Sequence, residues 1–198
     1  MLSLNPRTLT DVWRDILAVG EATGRASKAR AIVSQLEARV AFVERAVAVV
    51  GRRPRVACLE WLDPVYCGGH WVPDMVTRAG GIDVLGRLGE PSFRVSHEQV
   101  LAGQPEVILA MPCGYGAEQS AEEYSRTQFP TGWNDLPAVR DGQVFAVDAS
   151  SYFSRPGPRL ADGVEILASL IHPEVVKAPA SAGPILRIGE VLHRATAP

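Results

Sequence analysis

A chain of 198 residues, of which 46% are hydrophobic and 21% charged, is large enough to bury one sizeable core. Its net charge of -2 comes from interspersed basic and acidic residues, so it offers neither the basic stripe that nucleic acids require nor a polybasic membrane patch. We therefore exclude nucleic acid as a partner and expect a small molecule or another protein.

The N-terminal quarter of the chain predicts two helices. Thr8 can cap a short helix over 8–19, whose apolar stripe continues until Gly20 or Gly24. From 27 to 50, apolar residues recur at the three-and-four spacing of one helix face. These residues are Ile32, Val33, Leu36, Val40, Val43, Val47 and Val50. The spacing predicts a helix of roughly 24 residues, about 36 Å long.

Beyond residue 54, predicted strands alternate with predicted helices. The strands are 55–61, 106–111 and 143–147, and the helices are 71–79, 96–102, 117–128 and 158–171. This alternation indicates an α/β fold: a three-layer lobe with a mostly parallel sheet flanked by helices, preceded by the long backbone helix. After residue 173 the chain is rich in Pro, Ala, Ser and Gly. We expect a loosely docked tail there, with at most one short amphipathic element over 185–193.

The ends of the predicted strands carry polar and aromatic residues. The run 55–64 is apolar as far as Glu60, and a Gly-rich aromatic segment, 65–73, follows it. Because the carboxyl ends of parallel strands meet at one edge of an open sheet, where ligands bind, we expect a binding site at that edge. The candidate residues after the three strands are Trp61, Tyr66, His70 and Trp71, then Tyr115, then Tyr152, Phe153 and Arg155.

Several of these aromatic residues have an alternative interpretation as core residues. Aromatics on turns that follow strands are poorly placed to pack inward, which favours ligand contact for part of the set. That part is Trp61, Tyr66, Trp71 and Tyr152. Trp61 could still be a core aromatic, Phe153 could pack under the last helix, and Trp133 is expected in the core.

Four segments together carry a family resemblance. They are the long helix leading into 55–62, then 68–81, then 95–102 with 105–109, and then 133–145. Their order and spacing over residues 4–173 resemble the helical-backbone class of ABC-importer substrate-binding proteins. The nearest branch is the cobalamin (vitamin B12) binding proteins, whose relatives carry iron siderophores and haem.

The resemblance implies two α/β lobes joined by one rigid helix, with the ligand held between the lobes and no chemistry performed on it. The segments of this chain that would correspond are 1–26 (the end of a first lobe), 27–53 (the connecting helix), 54–173 (the C-terminal ligand-binding lobe) and 174–198 (the tail). On this interpretation the N-terminal lobe is missing. Family members are periplasmic or lipid-anchored outside the membrane.

The N-terminus shows no secretory signal, and no apolar run approaches the ~20 residues that span a bilayer. As written, this chain therefore has no export address and would be cytoplasmic.

The resemblance also implies particular residues. Glu98 lies in a Ser-x-Glu-x-Val-Leu motif. In B12-binding relatives the glutamate of this motif docks into an arginine pocket on the membrane permease. The alternative is that Glu98 is a first-turn glutamate stabilised by the helix dipole. Relatives carry Asp-Trp-Phe-x-Arg after the last strand, whereas here Ser151 replaces the acidic residue and only Asp148 lies nearby. A cleft tryptophan of some relatives aligns near Ser92 and Phe93. These departures put the identity of the ligand in doubt more than the architecture.

Other functions have weaker signals. The chain has three cysteines, Cys58, Cys67 and Cys113, without CxxC spacing, so neither a disulfide framework nor a zinc knuckle is indicated. Cys67, Cys113, His70 and His97 could be imagined as metal ligands, but their spacing matches no known metal-binding motif. His70 could instead coordinate the metal of a bound cobalt or iron chelate. Cys113, activated by His70 or His97, is the one plausible nucleophile, but no catalytic motif accompanies it, and we do not expect an enzyme.

Two consequences follow from a single lobe. A cleft open to water on one side loses contact area, so this chain alone is expected to bind cobalamin weakly or not at all. The apolar face of the long helix would form a large exposed patch, which predicts a homodimer through helices 8–19 and 27–50. The competing function is a stand-alone interaction module that holds a protein partner through the same surface.

Overall fold

The computed structural model describes residues 2–189. Its helices are α1 (Leu9–Ala22), α2 (Ala26–Ala48), α3 (Val72–Arg78), α4 (His97–Gly103), α5 (Ala117–Arg126), α6 (Pro137–Arg140), α7 (Ala149–Tyr152) and α8 (Leu160–Ile171), with a 3-10 turn at Trp133–Asp135. Its strands are β1 (Arg55–Leu62), β2 (Val65–Cys67), β3 (Ile82–Asp83), β4 (Val107–Ala110), β5 (Val144–Val147) and β6 (Ile185–Arg187). No helix within this range is both long and apolar enough to cross a bilayer.

The two N-terminal helices form a tight pair. Thr8 and Asp11 make a capping box at the start of α1, so the first turn of the helix is satisfied locally. Near the other end, a Cβ placed on Gly20 would lie 2.2 Å from the Cβ of Ala29. Only a glycine therefore lets the start of α2 approach α1 so closely.

The apolar face of α2 is buried within the chain. Val33, Leu36, Val40, Val43 and Val47 all belong to a core that α1, α3 and α8 complete. The expected large exposed patch is therefore wrong, because α1 and α8 cover the face that the sequence analysis left open. The homodimer prediction loses the argument on which it was based.

An ion-pair cluster holds α2 to α8. The Arg39 guanidinium donates from Nε and Nη2 to Glu165, at 2.8 and 2.7 Å, and from Nη2 to Asp162 at 2.7 Å. This fork-shaped contact fixes the angle between the two helices, since a bidentate guanidinium accepts only one orientation of its partner. The long helix is thus bound rigidly to the sheet domain.

The sheet within residues 2–189 has six strands in the order β2-β1-β4-β5-β6, with β3 pairing the start of β1. The pairs β1–β3, β1–β4 and β4–β5 are parallel, and the outer pairs β1–β2 and β5–β6 are antiparallel. Alternate residues of each central strand face opposite sides. Cys58 and Leu109 join the core under α2, α3 and α8, while Leu59 and Ile108 join a second core under α4 and α5. The three-layer α/β prediction is confirmed, with a mixed rather than mostly parallel sheet.

The described part of the tail is docked more firmly than the sequence suggests. β6 pairs with β5, and Val176 and Ile188 are buried. The Tyr152 hydroxyl donates to the backbone oxygen of Ser181 at 2.8 Å. The expectation of a loosely docked tail is therefore wrong for this segment, because β5 would otherwise be an unpaired edge strand. The remainder of the predicted element 185–193 extends beyond the described residues.

Candidate functional site

The carboxyl ends of β1, β4 and β5 lie side by side at one edge of the sheet, called here the ligand edge. The parallel register aligns Leu59 with Ala110 and Ala110 with Ala146. Beyond the strands, backbone hydrogen bonds continue between the loops: Cys113 N–H donates to the oxygen of Glu60 at 3.2 Å, and Ser150 N–H donates to that of Tyr115 at 3.3 Å. The segments after the three strands therefore form one continuous floor.

Two half-buried aromatic rings meet on this floor. The centroids of Trp61 and Tyr115 are 5.6 Å apart with an edge-to-face angle of 68°. Trp61 lies just after an irregularity in the β1–β2 pairing, and its Nε1 donates to the oxygen of Asp63 at 3.1 Å. Tyr66, on β2, is 37% exposed. These three side chains are therefore at least partly exposed, as a contact with a ligand would require.

Three other predicted contact residues lie below the surface. Trp71, Tyr152 and Phe153 are 7%, 8% and 1% exposed. Trp71 Nε1 donates to the Phe153 oxygen at 2.7 Å, and the Tyr152 hydroxyl accepts from Gly183 N–H at 3.0 Å. The argument that aromatics after strands do not pack inward is wrong here, because α3, α7 and the 181–183 segment cover them. They support the floor rather than face a ligand, whereas Trp133 is in the core as predicted.

Glu60 is a polar residue of the ligand edge that the sequence analysis did not select. Its half-buried carboxylate receives hydrogen bonds from Gly69 N–H and from the Ser92 hydroxyl, and it lies close to His70. Burial raises the pKa of Glu60, and the Gly69 N–H, His70 and Ser92 offset part of that rise. The only sign of Glu60 in the sequence is that one charged residue directly follows four apolar residues of β1, all of which are buried.

His70 occupies the turn beside Glu60. It has φ 53, in the left-handed region that non-glycine residues seldom adopt. Its backbone N–H donates to the Glu90 oxygen, and its own oxygen accepts from Gly89 N–H at 3.2 Å. The imidazole is half-buried against Trp71, with centroids 5.5 Å apart. The loop 84–93 thus holds this histidine from both sides of its backbone.

The segment after β5 carries the remaining candidates. Asp148 caps α7 by accepting from Ser151 N–H at 2.8 Å, so its carboxylate is already engaged. Arg155 is exposed beyond α7. The arginine predicted for the site is therefore accessible, and the nearby acidic residue has a structural contact instead.

Glu98 is fully exposed in the first turn of α4. Hydrogen bonds from Ser96 and from its own backbone N–H lower the pKa of this carboxyl group. It lines a depression of about 540 Å³ together with Asp63 and Pro64 of the β1–β2 turn. The proposed docking residue therefore lies close to one end of the ligand edge.

The cysteine and metal alternatives gain no support from the geometry. Cys58 and Cys67 are buried and Cys113 is exposed. Among residues 2–189, no hydrogen bond connects Cys113 with His70 or His97, and no three His, Cys, Asp or Glu side chains are grouped as metal ligands. A nucleophilic Cys113 would therefore have no base within hydrogen-bond distance in this part of the chain.

An α/β lobe with an aromatic ligand edge and a rigid backbone helix is the architecture of a solute-binding domain. A sequence model described as Periplasmic binding protein matches residues 2–150, so the chain belongs to the periplasmic binding protein family. Proteins of this family are binding components of transport systems rather than enzymes.

Individual relatives show the same relationship. The vitamin B12-binding protein of Vibrio cholerae serotype O1 is 33% identical over 98 residues, 49% of this chain and 32% of that protein. An uncharacterised ABC transporter substrate-binding lipoprotein of Bacillus subtilis is 23% identical over 180 residues, 86% of this chain and 53% of that protein. The crystal structure of an ABC-type Fe3+-hydroxamate transport system from Saccharomonospora viridis superposes with a TM-score of 0.69 at 25% identity, over 85% of this chain and 57% of that one. The chain therefore spans about half the length of these proteins or less.

Proposed function

We propose that this chain provides a ligand-binding lobe of an ABC-importer substrate-binding protein that works outside the cytoplasmic membrane. Its ligand would be cobalamin or a related metal chelate, namely an iron siderophore or haem. The observation that carries the proposal is the Trp61–Tyr115 pair at the ligand edge, 5.6 Å between ring centroids, in a chain of the periplasmic binding protein family.

The chemistry of this edge suits a large, flat and partly polar ligand. The half-buried rings of Trp61 and Tyr115, with Tyr66 beside them, offer apolar faces to a macrocycle. Arg155 is an exposed cation on the same edge, suited to a carboxylate or phosphate group at the ligand's periphery. A few polar groups among aromatic ones fix the orientation of a ligand in such sites.

The ligand would be enclosed between this edge and a second lobe of the same fold. The second lobe would cover the ligand face that this edge leaves in water, which adds contact area and desolvation. We therefore propose that this lobe alone binds its chelate with low affinity. Closure would be small, because Arg39 fixes α2 to α8 and a continuous helix resists bending.

Glu98 is the proposed contact with the permease. Its carboxylate is fully exposed and has a lowered pKa, so it is ionised at neutral pH and free to pair with an arginine pocket. Its position beside the β1–β2 turn would place the permease close to the ligand edge, where a released ligand must leave.

The experiment is a calorimetric titration of the purified chain with cyanocobalamin, ferric protoporphyrin and ferrichrome. Saturable binding of one of them, weakened about tenfold or more by Trp61→Ala, supports the proposal, because aromatic anchors dominate such sites. The matched control is Phe42→Ala, an aromatic that is 62% exposed on α2, away from the ligand edge. Saturable binding that Trp61→Ala leaves unchanged would refute the proposal, and equal losses in both variants would refute the assignment of the edge.

A further inference from the structure

We propose that copies of this chain associate head to tail, with the outer face of α2 of one copy docked in an apolar groove beside α1 of the next. The α2 stripe is the name used here for Phe42, Arg45 and Val49 on that outer face. The α1 groove is the name used for the cavity between α1 and the segment 156–158. This contact differs from the dimer expected from the sequence, which relied on the buried face of α2, and it does not depend on the proposed ligand.

The α1 groove is a mainly apolar cavity of about 280 Å³ at the surface of the lobe. Leu4 and Val19, which line it, are 45% and 41% exposed. Pro156 and Pro158 also line it, and because their rings fix φ, this part of the wall is stiff. Large apolar side chains that are exposed together on one concave surface are typical of a site that another molecule covers.

One carboxylate lies in this apolar groove without a partner. Asp15 is half-buried on α1 and lines the groove, and its side chain makes no hydrogen bond or ion pair with any described residue. A charged group that loses water without gaining a partner is unfavourable, and a cation placed in the groove compensates for that loss. The α1 groove therefore fits an apolar surface that carries a positive charge.

The α2 stripe has this composition. Phe42 and Val49 are 62% and 81% exposed, and Arg45 lies between them. Val49, at the C-cap, keeps helical backbone angles, so spacings of three and four residues put all three side chains on one face. The Arg45 guanidinium makes no hydrogen bond or ion pair within residues 2–189. Anchors at i, i+3 and i+7 are the pattern with which a helix binds in a groove.

The two charged side chains do not meet within one copy. Gly20 of α1 packs closely on Ala29, near the start of α2. At 1.5 Å per residue, Arg45 lies roughly 24 Å further along α2, whereas Asp15 lies only about 8 Å from Gly20 along α1. Arg45 therefore reaches an Asp15 carboxylate only on another copy, where the apolar side chains on either side of it enter the groove.

The contact joins two different surfaces, so it is heterologous. Each pair of copies keeps one free groove and one free stripe, to which further copies can add. The stripe is ordered before binding, because Arg39 fixes α2 on α8, and this lowers the entropy lost on association. With three anchors and one ion pair the interface is small, so we expect reversible association that increases with concentration.

The first test is sedimentation velocity of the full chain at concentrations from micromolar to millimolar. We expect the weight-average sedimentation coefficient to rise with concentration, and to rise less in high salt, which screens the ion pair. Arg45→Asp should abolish the rise, and Asp15→Lys combined with Arg45→Asp should restore it. Arg126→Asp is the matched control and should leave the rise unchanged, because Arg126 also lies in the last turn of a helix, α5, but on the other face of the sheet.

A mixture of two impaired variants tests the head-to-tail arrangement. Val19→Glu blocks the groove and keeps the stripe, whereas Val49→Glu blocks the stripe and keeps the groove. Both positions are exposed, so both variants should melt at the temperature of the parent chain. Each variant alone should stay monomeric, and their mixture should form a one-to-one dimer that grows no further.

Three results would overturn the proposal. The first is a parent chain that stays monomeric over the whole concentration range. The second is a mixture of the two glutamate variants that stays monomeric although the parent chain associates. The third is association that neither glutamate variant weakens, because the copies would then meet through another surface.

Discussion

Asp83 offers the sharpest stability prediction, because one of its oxygens is buried without a partner. Oδ1 accepts from Leu85 N–H at 2.9 Å and from Gly86 N–H at 2.8 Å, whereas Oδ2 has no hydrogen bond among the described residues. A Cβ on Gly86 would lie 2.8 Å from Oδ2 and 2.6 Å from the Gly68 oxygen. Two acceptors therefore face the same small space, and neither has a donor there.

Asp83→Asn would supply the missing donor. The amide oxygen can keep both backbone N–H groups, and the amide NH2 takes the place of Oδ2 beside the space that the Gly68 oxygen also borders. A buried polar atom without a partner costs about 1–3 kcal/mol, so we expect a gain of about 1 kcal/mol or more at pH 7. For a chain of this size, that corresponds to a rise in Tm of roughly 2–4 °C.

The gain should depend on pH in a defined direction. Burial raises the pKa of Asp83, and the hydrogen bonds from Leu85 and Gly86 offset only part of that rise. A raised carboxyl pKa means that the folded state binds the proton more tightly than the unfolded state. Ionisation of Asp83 therefore lowers the free energy of unfolding of the parent chain above the folded-state pKa, and this loss is absent below the unfolded-state pKa. The advantage of Asp83→Asn should therefore shrink as the pH falls through this window.

The assay is urea unfolding of both proteins between pH 4 and pH 8, followed by circular dichroism. Asp141→Asn is the control, because Asp141 is exposed and pairs with Arg140, which lowers its pKa. Its effect should be small at every pH, because surface substitutions of this kind seldom change stability. A variant of Asp83 that is less stable than the parent at pH 7, or whose advantage grows as the pH falls, would refute the reasoning.

Three further predictions concern the helices. Arg39→Ala should lower the free energy of unfolding by about 1–3 kcal/mol in urea titrations, because it leaves the buried Asp162 without its cation; an unchanged midpoint would contradict this. Gly20→Val should cost about 1–3 kcal/mol in the same assay, since the new side chain overlaps Ala29, and Ala18→Val at a half-buried position of the same helix is the milder comparison. Glu98→Lys should leave calorimetric chelate binding unchanged and abolish co-purification with the cognate permease; retained co-purification would remove Glu98 from the docking surface.

Periodicity was sufficient to predict the six longer helices and the three central strands, but not the four-residue helices α6 and α7. It could not predict β2 and β6, because runs of three residues carry too little alternation to be distinguished from a loop. It also could not show that α1 folds back on α2, since that contact depends on the missing side chain of Gly20 rather than on any apolar residue.

The candidate residues of the ligand edge fall into two groups, those whose exposure follows from the strand ends and those whose burial depends on contacts distant in sequence. Trp61, Tyr66 and Tyr115 are at least partly exposed, because their positions follow directly from the strand ends, and their contact with a ligand stays a prediction. Trp71 and Tyr152 were placed on the wrong side of the surface, since their burial depends on α3 and on the 181–183 segment, which are distant in sequence. Glu60 was overlooked because a single carboxylate has no periodicity, and its burial is known only once Gly69 and Ser92 lie over it.

Three unfavourable features border the segment 68–70. The unpartnered Oδ2 of Asp83 and the Gly68 oxygen both border the space beside Gly86, the partly buried Glu60 carboxylate interacts with Gly69, and His70 adopts a left-handed φ. Each could be relieved by a single substitution, to Asn, Gln or Gly. Selection for stability alone would remove such costs one by one, so we infer that their accumulation in this part of the lobe reflects a functional constraint. The Asp83→Asn variant therefore tests whether one of these costs can be removed from the folded state.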